Sequence, residues 1–198
     1  MTKIIAITGG IGSGKTTLCE YLKKTGFLVH ESDKFVSKMY DNPGKSFTDF
    51  IYKHISNDAV KKGRIDKKKV AETIFKNHEK RKKIEKYIHK QAQTSRNNFI
   101  KKSKKNKRNF VFVDIPLLLE KKIEKNFDLV VSIISKKKTR MRRVLKNKNF
   151  SKKTLNKIFK LQTTDRERRL RSQIVINNNK TKKDFISLIE SSLIKTLI

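Results

Sequence analysis

Near the amino terminus, Gly9-Gly10-Ile11-Gly12-Ser13-Gly14-Lys15-Thr16 meets every fixed position of the phosphate-loop pattern G-x-x-x-x-G-K-[ST]. Such a loop works only between a buried strand and a helix, and the flanking residues supply both. Residues 3–8 (KIIAIT) form an apolar run without alternation, as a parallel strand covered on both faces requires. Residues 15–24 set Leu18, Tyr21 and Leu22 at helical spacing, and Thr25-Gly26 supplies a stop. Residues 27–30 read as a second strand, closing a βαβ unit of about the minimum length.

Beyond that unit, residues 34–102 turn helical and polar, with apolar positions recurring at Val70, Ile74 and Phe75, then Ile84, Tyr87 and Ile88. The lysine-rich run at 101–108 reads as a solvated helix end and loop. Residues 110–113 (FVFV) predict a third strand, 129–134 (LVVSII) a fourth and 174–176 a short fifth. A last helix is predicted from Thr181 as N-cap, with Phe185, Ile189 and Leu193 on one face. Strands alternating with helices predict an α/β fold, a parallel-sheet P-loop NTPase core. That core is expected at about 1–33, 109–135 and 170–198, with a helical insertion at about 34–108 and a lid region at about 136–169.

The glycines allow the backbone to wrap a phosphate with its N–H groups turned inward, and the following helix offers its positive end. In this reading Lys15 reaches the β- and γ-phosphates of ATP and the Thr16 hydroxyl ligates Mg²⁺. The loop alone does not choose between kinase, GTPase and ATPase, but no N-K-x-D base-recognition box is present. Asp33, just past the second strand, and Asp114, at the end of the third, are expected to open on the crevice where parallel sheets bind ligands. A carboxylate there takes or orients the proton of an acceptor hydroxyl. The alternatives are an N-cap at Asp33 and a turn residue at Asp114 before Pro116. Arg140, Arg142 and Arg143 follow the fourth strand, where small kinases carry a lid whose arginines counter phosphoryl charge; a solvated basic face is the alternative.

Charge says less. Lys and Arg number 51 against 18 Asp and Glu, so the formal charge is 51 − 18 = +33. This invites anionic partners, nucleic acid among them, but Lys, Asn and Ile all have AT-rich codons and the excess has a compositional explanation too. The basic runs carry no interleaved aromatics of the kind that stack on bases, which argues against nucleic acid. The single cysteine, Cys19, excludes an internal disulfide, and no run is apolar enough to span a membrane. Residues 1–10 lack a signal-peptide pattern, so a cytoplasmic protein is expected.

Taken together, TGGIGSGKTT, Asp33, Pro43-Gly44, Gly63-Arg64-Ile65-Asp66, Phe75, Ile88-His89, the Asp114-Ile115-Pro116-Leu117-Leu118-Leu119-Glu120 segment, Gln162 and Val175-Ile176-Asn177-Asn178 resemble the dephospho-CoA kinase family, in its order from end to end. The resemblance implies transfer of a phosphoryl group from ATP to the ribose 3′-hydroxyl of dephospho-CoA. It implies that Gly12, Ser13, Gly14, Lys15, Thr16 and Thr17 hold ATP and that Asp33 is the base. It also implies that His89 and Asp114 serve the acceptor side, that the helical insertion cradles the CoA portion, and that Arg140 serves the lid. Where that family commonly has D-A-D, this chain has Glu31-Ser32-Asp33; where it has His-Pro, this chain has His89-Lys90; and Leu118-Leu119-Glu120 stands for its Leu-Phe-Glu. A nucleoside or nucleoside-monophosphate kinase is the rival reading on the same core.

Overall fold

The computed structural model describes residues 1–146 and 150–197. The chain divides into two units, Met1–Glu31 with Ile100–Ile198, and Ser32–Phe99.

The first unit is built on five parallel strands, β1 (Lys3–Gly9), β2 (Val29–Glu31), β5 (Phe110–Asp114), β6 (Leu129–Ile134) and β7 (Ile174–Asn177), in the order β2-β5-β1-β6-β7. β1 is the middle strand of the five, with Ile7 opposite Asp114 on one side and Val131 on the other. The period of two puts Ile5, Ile7, Phe112, Val131 and Ile133 on a common face, where they pack with Leu18 and Leu22 of α1 (Lys15–Lys24) and Phe185 and Ile189 of α9 (Lys182–Ile189). Thr181 caps α9 through a reciprocal pair with Asp184, so the predicted N-cap is present.

α1 covers the predicted helix in full. It ends as a Schellman motif, with Gly26 at φ +88°, Phe27 N–H bonded to Leu22 O at 2.9 Å and Gly26 N–H to Lys23 O at 3.1 Å. That closure uses Phe27 as helix cap, which is why β2 begins at Val29 rather than at 27 and runs one residue further, to Glu31. Phe27 instead meets Phe112 edge to face, ring centres 5.4 Å apart.

The second unit holds α2 (Ser32–Asp41), α3 (Lys45–His54), a two-stranded hairpin of β3 (Val60–Lys61) and β4 (Arg64–Ile65), α4 (Lys67–Lys76) and α5 (His78–Lys105) as far as Phe99. The hairpin turns on Lys62 and Gly63, both at positive φ, as a two-residue primed turn requires. Asp66 caps α4, accepting from the Lys68 and Lys69 N–H groups. Phe47, Ile51, Ile55, Ala59, Val70 and Ile84 form the core of this unit, with Tyr87 stacked on Phe50 at 4.1 Å. Phe75 departs from the sequence expectation. The Val70–Ile74 row faces this core, but Phe75 stands about 100° further round the helix and is 91% exposed.

In the first unit, α6 (Lys137–Lys146), α7 (Lys152–Leu161) and α8 (Asp165–Leu170) follow β6 and lead to β7. Among the described residues no helix is long and apolar enough to cross a membrane.

Candidate active site

Residues 10–14 join the carboxyl end of β1 to α1, and the loop holds a shape that only glycine fits at two of its positions. Gly12 and Gly14 have φ +73° and +113°, in the left-handed region. A Cβ on Gly12 would stand 2.8 Å from the Arg140 carbonyl oxygen and 2.8 Å from Val144 Cγ2. One on Gly14 would run into the Asn178 side-chain amide. Gly10 is constrained differently: the space its Cβ would take is filled by the Arg140 guanidinium and Gln162 Oε1. Within the loop, Ser13 N–H donates to Gly10 O at 3.1 Å, and the Lys15 ammonium folds back onto Gly9 O, also at 3.1 Å. Thr16 is exposed at the start of α1, and Thr17 lines an open pocket of about 460 Å³ with Gly14, Arg142, Arg143, Asn178 and Phe185.

Three side chains from later in the chain brace this loop. Asn178, just past β7, donates to Ser13 O at 2.7 Å and accepts from Arg143 at 3.1 Å. Arg143 also reaches Gly12 O at 3.5 Å. Gln162, between α7 and α8, accepts the Ile11 N–H at 3.1 Å. Sequence patterning carries no signal for the bonds to the loop, since each spans more than a hundred residues; Gln162 and Asn178 stand out only through the family resemblance. Arg140 lies over the Phe159 ring, 4.9 Å from its centre, and 4.0 Å from Asp165. Burial lowers its pKa and Asp165 opposes that fall. Arg140 and Arg143 thus sit at the phosphate loop, and Arg142 lines the adjoining pocket.

Asp114 is the last residue of β5, 6% exposed, opposite Glu31 on β2. Glu31 is buried and forms an ion pair with Lys23 of α1. Cys19 reports on this end of the sheet. Burial first, then the carboxylates of Asp114 and Glu31, push its thiol far above the usual range, against the opposing pull of Lys23 and Lys15. Its proton therefore stays on, and Cys19 behaves as an apolar core residue.

Asp33 and His89 belong to the second unit. Asp33 is exposed in the first turn of α2. The helix starts at Ser32, two residues before the expected start at 34, so Asp33 is a helical residue and not the N-cap. His89 is exposed on α5, beside Lys86 and Glu85 at a shallow surface pocket.

A phosphate loop on the middle strand of a parallel β2-β5-β1-β6-β7 sheet, with a basic helix laid along its crest, makes this a P-loop kinase fold. Among solved structures, a protein from Thermus thermophilus superposes with a TM-score of 0.76 at 25% identity, covering 100% of this chain and 98% of its own. The dephospho-CoA kinase from Campylobacter jejuni shares the fold, with a TM-score of 0.74 at 23% identity, covering 100% and 98%. The family model for dephospho-CoA kinase matches residues 3–184, and the chain belongs to that family. A dephospho-CoA kinase from Fusobacterium nucleatum is 34% identical over 94% of this chain and 95% of its own.

Proposed function

We propose that this chain transfers the γ-phosphoryl group of ATP to the ribose 3′-hydroxyl of dephospho-CoA, giving CoA and ADP, the last step of CoA biosynthesis. The observation that carries the proposal is the match of one family, dephospho-CoA kinase, to residues 3–184, which takes in the phosphate loop and both acceptor-side candidates.

The residues present fit ATP with Mg²⁺. The Gly12 and Gly14 cradle leaves backbone N–H groups for phosphate oxygens, and α1 adds its positive end. Thr16 offers one exposed hydroxyl at the same end. That donor set suits Mg²⁺, which takes a few protein oxygens together with substrate phosphates and waters. Thr16 would hold the ion, which would supply positive charge against the negative charge of the phosphates.

The residues act by position and charge. Gly12 to Thr17 grip the phosphates, and Lys15 moves from the Gly9 carbonyl to the β- and γ-oxygens. The pocket beside Thr17, bounded by Arg142, Asn178 and Phe185, takes the nucleoside end of ATP. Arg140 stabilises the transferring phosphoryl group; its stacking on Phe159 and its approach to Asp165 orient it beforehand. Asp33 accepts the proton of the 3′-hydroxyl, and His89 and Asp114 serve the acceptor. The helical unit cradles the CoA portion, and residues 136–169, of which 147–149 lie outside the described residues, act as the lid. The reducing cytoplasm, where ATP is abundant, is the compartment we assign.

The test is incubation of the purified chain with ATP, Mg²⁺ and dephospho-CoA. CoA and ADP in equal amounts support the reading. ADP formed with a nucleoside or nucleoside monophosphate, but not with dephospho-CoA, moves the acceptor and leaves the kinase chemistry standing.

A further inference from the structure

Residues 162–168 carry more hydrogen bonds to distant parts of the chain than a connection between two helices needs. Gln162 Oε1 accepts the Ile11 N–H at the crest of the phosphate loop, at 3.1 Å. The next residue, Thr163, donates its N–H to Glu120 Oε1 at 2.8 Å. The same oxygen accepts from Arg168 Nη2 at 3.2 Å. Arg168 has no exposed surface, although charged side chains almost never bury completely without a partner. Thr164 then caps α8 in a reciprocal pair with Glu167.

These bonds have a direction. Glu120 closes the segment that follows β5, so it is anchored to the sheet by Leu118 and Leu119, both buried. Holding Thr163 from that anchor fixes the position of Gln162, one residue before it. Gln162 in turn fixes the Gly10-Ile11 peptide, and the absence of a Cβ at Gly10 makes room for both Gln162 and Arg140. An Ile11 N–H committed to Gln162 orients the crest of the loop, leaving the N–H groups nearer α1 for phosphate.

We propose that Gln162 is a positioning residue for nucleotide binding, set in place by Glu120 and Arg168 and acting through the Ile11 amide. Its role is separate from the acceptor. The inference rests on the phosphate loop binding an adenine nucleotide, and so on the proposed kinase reading, but not on dephospho-CoA being the acceptor.

The experiment is calorimetric titration of the full chain with ADP, alongside steady-state kinetics and thermal melting, for wild type, Gln162→Leu, Glu120→Gln and the double variant. Leu keeps the volume and removes the acceptor, leaving Ile11 N–H without its partner; the expected loss of ADP affinity is roughly tenfold. KM for ATP rises with it, while KM for dephospho-CoA and the melting temperature stay at wild-type values, which a merely structural defect would not spare. Glu120→Gln retains the acceptor for Thr163 and removes the charge facing Arg168, so its loss is smaller, and the double variant binds ADP no worse than Gln162→Leu. ADP affinity within twofold of wild type for Gln162→Leu overturns the proposal, as does strict additivity in the double variant. Wild type that binds ADP yet leaves dephospho-CoA untouched overturns only the choice of acceptor. Wild type that binds no ADP overturns both.

Discussion

The side-chain amide of Asn178 donates to the main-chain carbonyl of Ser13 at 2.7 Å, joining the end of the last core strand to the phosphate loop across 165 residues of sequence. The bond is buried, and Asn178 also receives Arg143 on its oxygen. The phosphate loop is therefore held from β7 and from α6 together, as well as by its own strand and helix.

Asn178→Ala removes both bonds at once and leaves the Ser13 carbonyl buried without its donor. The expected cost is about 1–3 kcal/mol in stability, read as a lower denaturation midpoint at unchanged m-value. Nucleotide affinity falls with it, because the loop loses its brace.

Lys15→Ala is expected to leave the fold intact, since its ammonium rests on Gly9 O at 3.1 Å, at the half-buried start of α1. Removing a fixed positive charge from the transferring phosphates lowers kcat by roughly 10²–10³-fold. Melting temperature unchanged with phosphoryl transfer lost is the expected pair of results; full activity in this variant contradicts the role of the loop.

Asp33→Asn tests the proposed base. The side chain is exposed on α2, so stability moves little. Loss of the proton acceptor lowers kcat by roughly 10²–10⁴-fold, with ADP affinity retained. Equal losses of kcat and ADP affinity count against a base and for a distortion of the site.

Gly12→Ala and Gly44→Ala separate space and backbone from mere flexibility. At Gly12 the φ of +73° and the Arg140 carbonyl 2.8 Å from the added Cβ both oppose the change, and a strained residue of that kind costs on the order of 1–3 kcal/mol. Gly44 has φ −71° and no atom within 4 Å of an added Cβ. Its substitution shifts stability by no more than about 0.5 kcal/mol. Chemical denaturation of the two variants in parallel checks the contrast.

Burial raises the Glu120 carboxyl pKa, but the Thr163 N–H and the Arg168 guanidinium outweigh it and hold the group below its ordinary 4.5. A folded-state pKa below the unfolded value contributes stability that is complete above 4.5 and is lost as pH falls through the folded pKa. Glu120→Gln lacks this contribution. The gap in melting temperature between wild type and this variant should therefore be widest near neutrality and narrow as pH falls through and below 4.5; a gap that widens on acidification contradicts the pairing.

Local pattern made much of this protein legible. β1, α1, β5 and β6 fall where apolar runs and helical spacing predict them, because each is decided by residues a few positions apart. The phosphate loop was readable for the same reason: a backbone that must turn left-handed at Gly12 and Gly14 leaves a mark in residue type. Periodicity failed at Phe75, where one helical step decides between core and solvent, and at β2, where the cap of α1 claimed Phe27. The 28-residue length of α5 was equally hidden in a polar, lysine-rich stretch, whose few apolar side chains give periodicity little to mark.

Residue order along the chain is enough for the phosphate grip, the parallel sheet beneath it and, through the order of its motifs, the family. Which distant side chains hold that grip in place follows from the folded arrangement alone. Asn178 on Ser13, Gln162 on Ile11, Arg140 over Gly10 and Glu120 beneath Thr163 join positions more than forty residues apart. A hydrogen bond of about 3 Å depends on where the sheet carries each backbone, and no spacing along the chain encodes that distance.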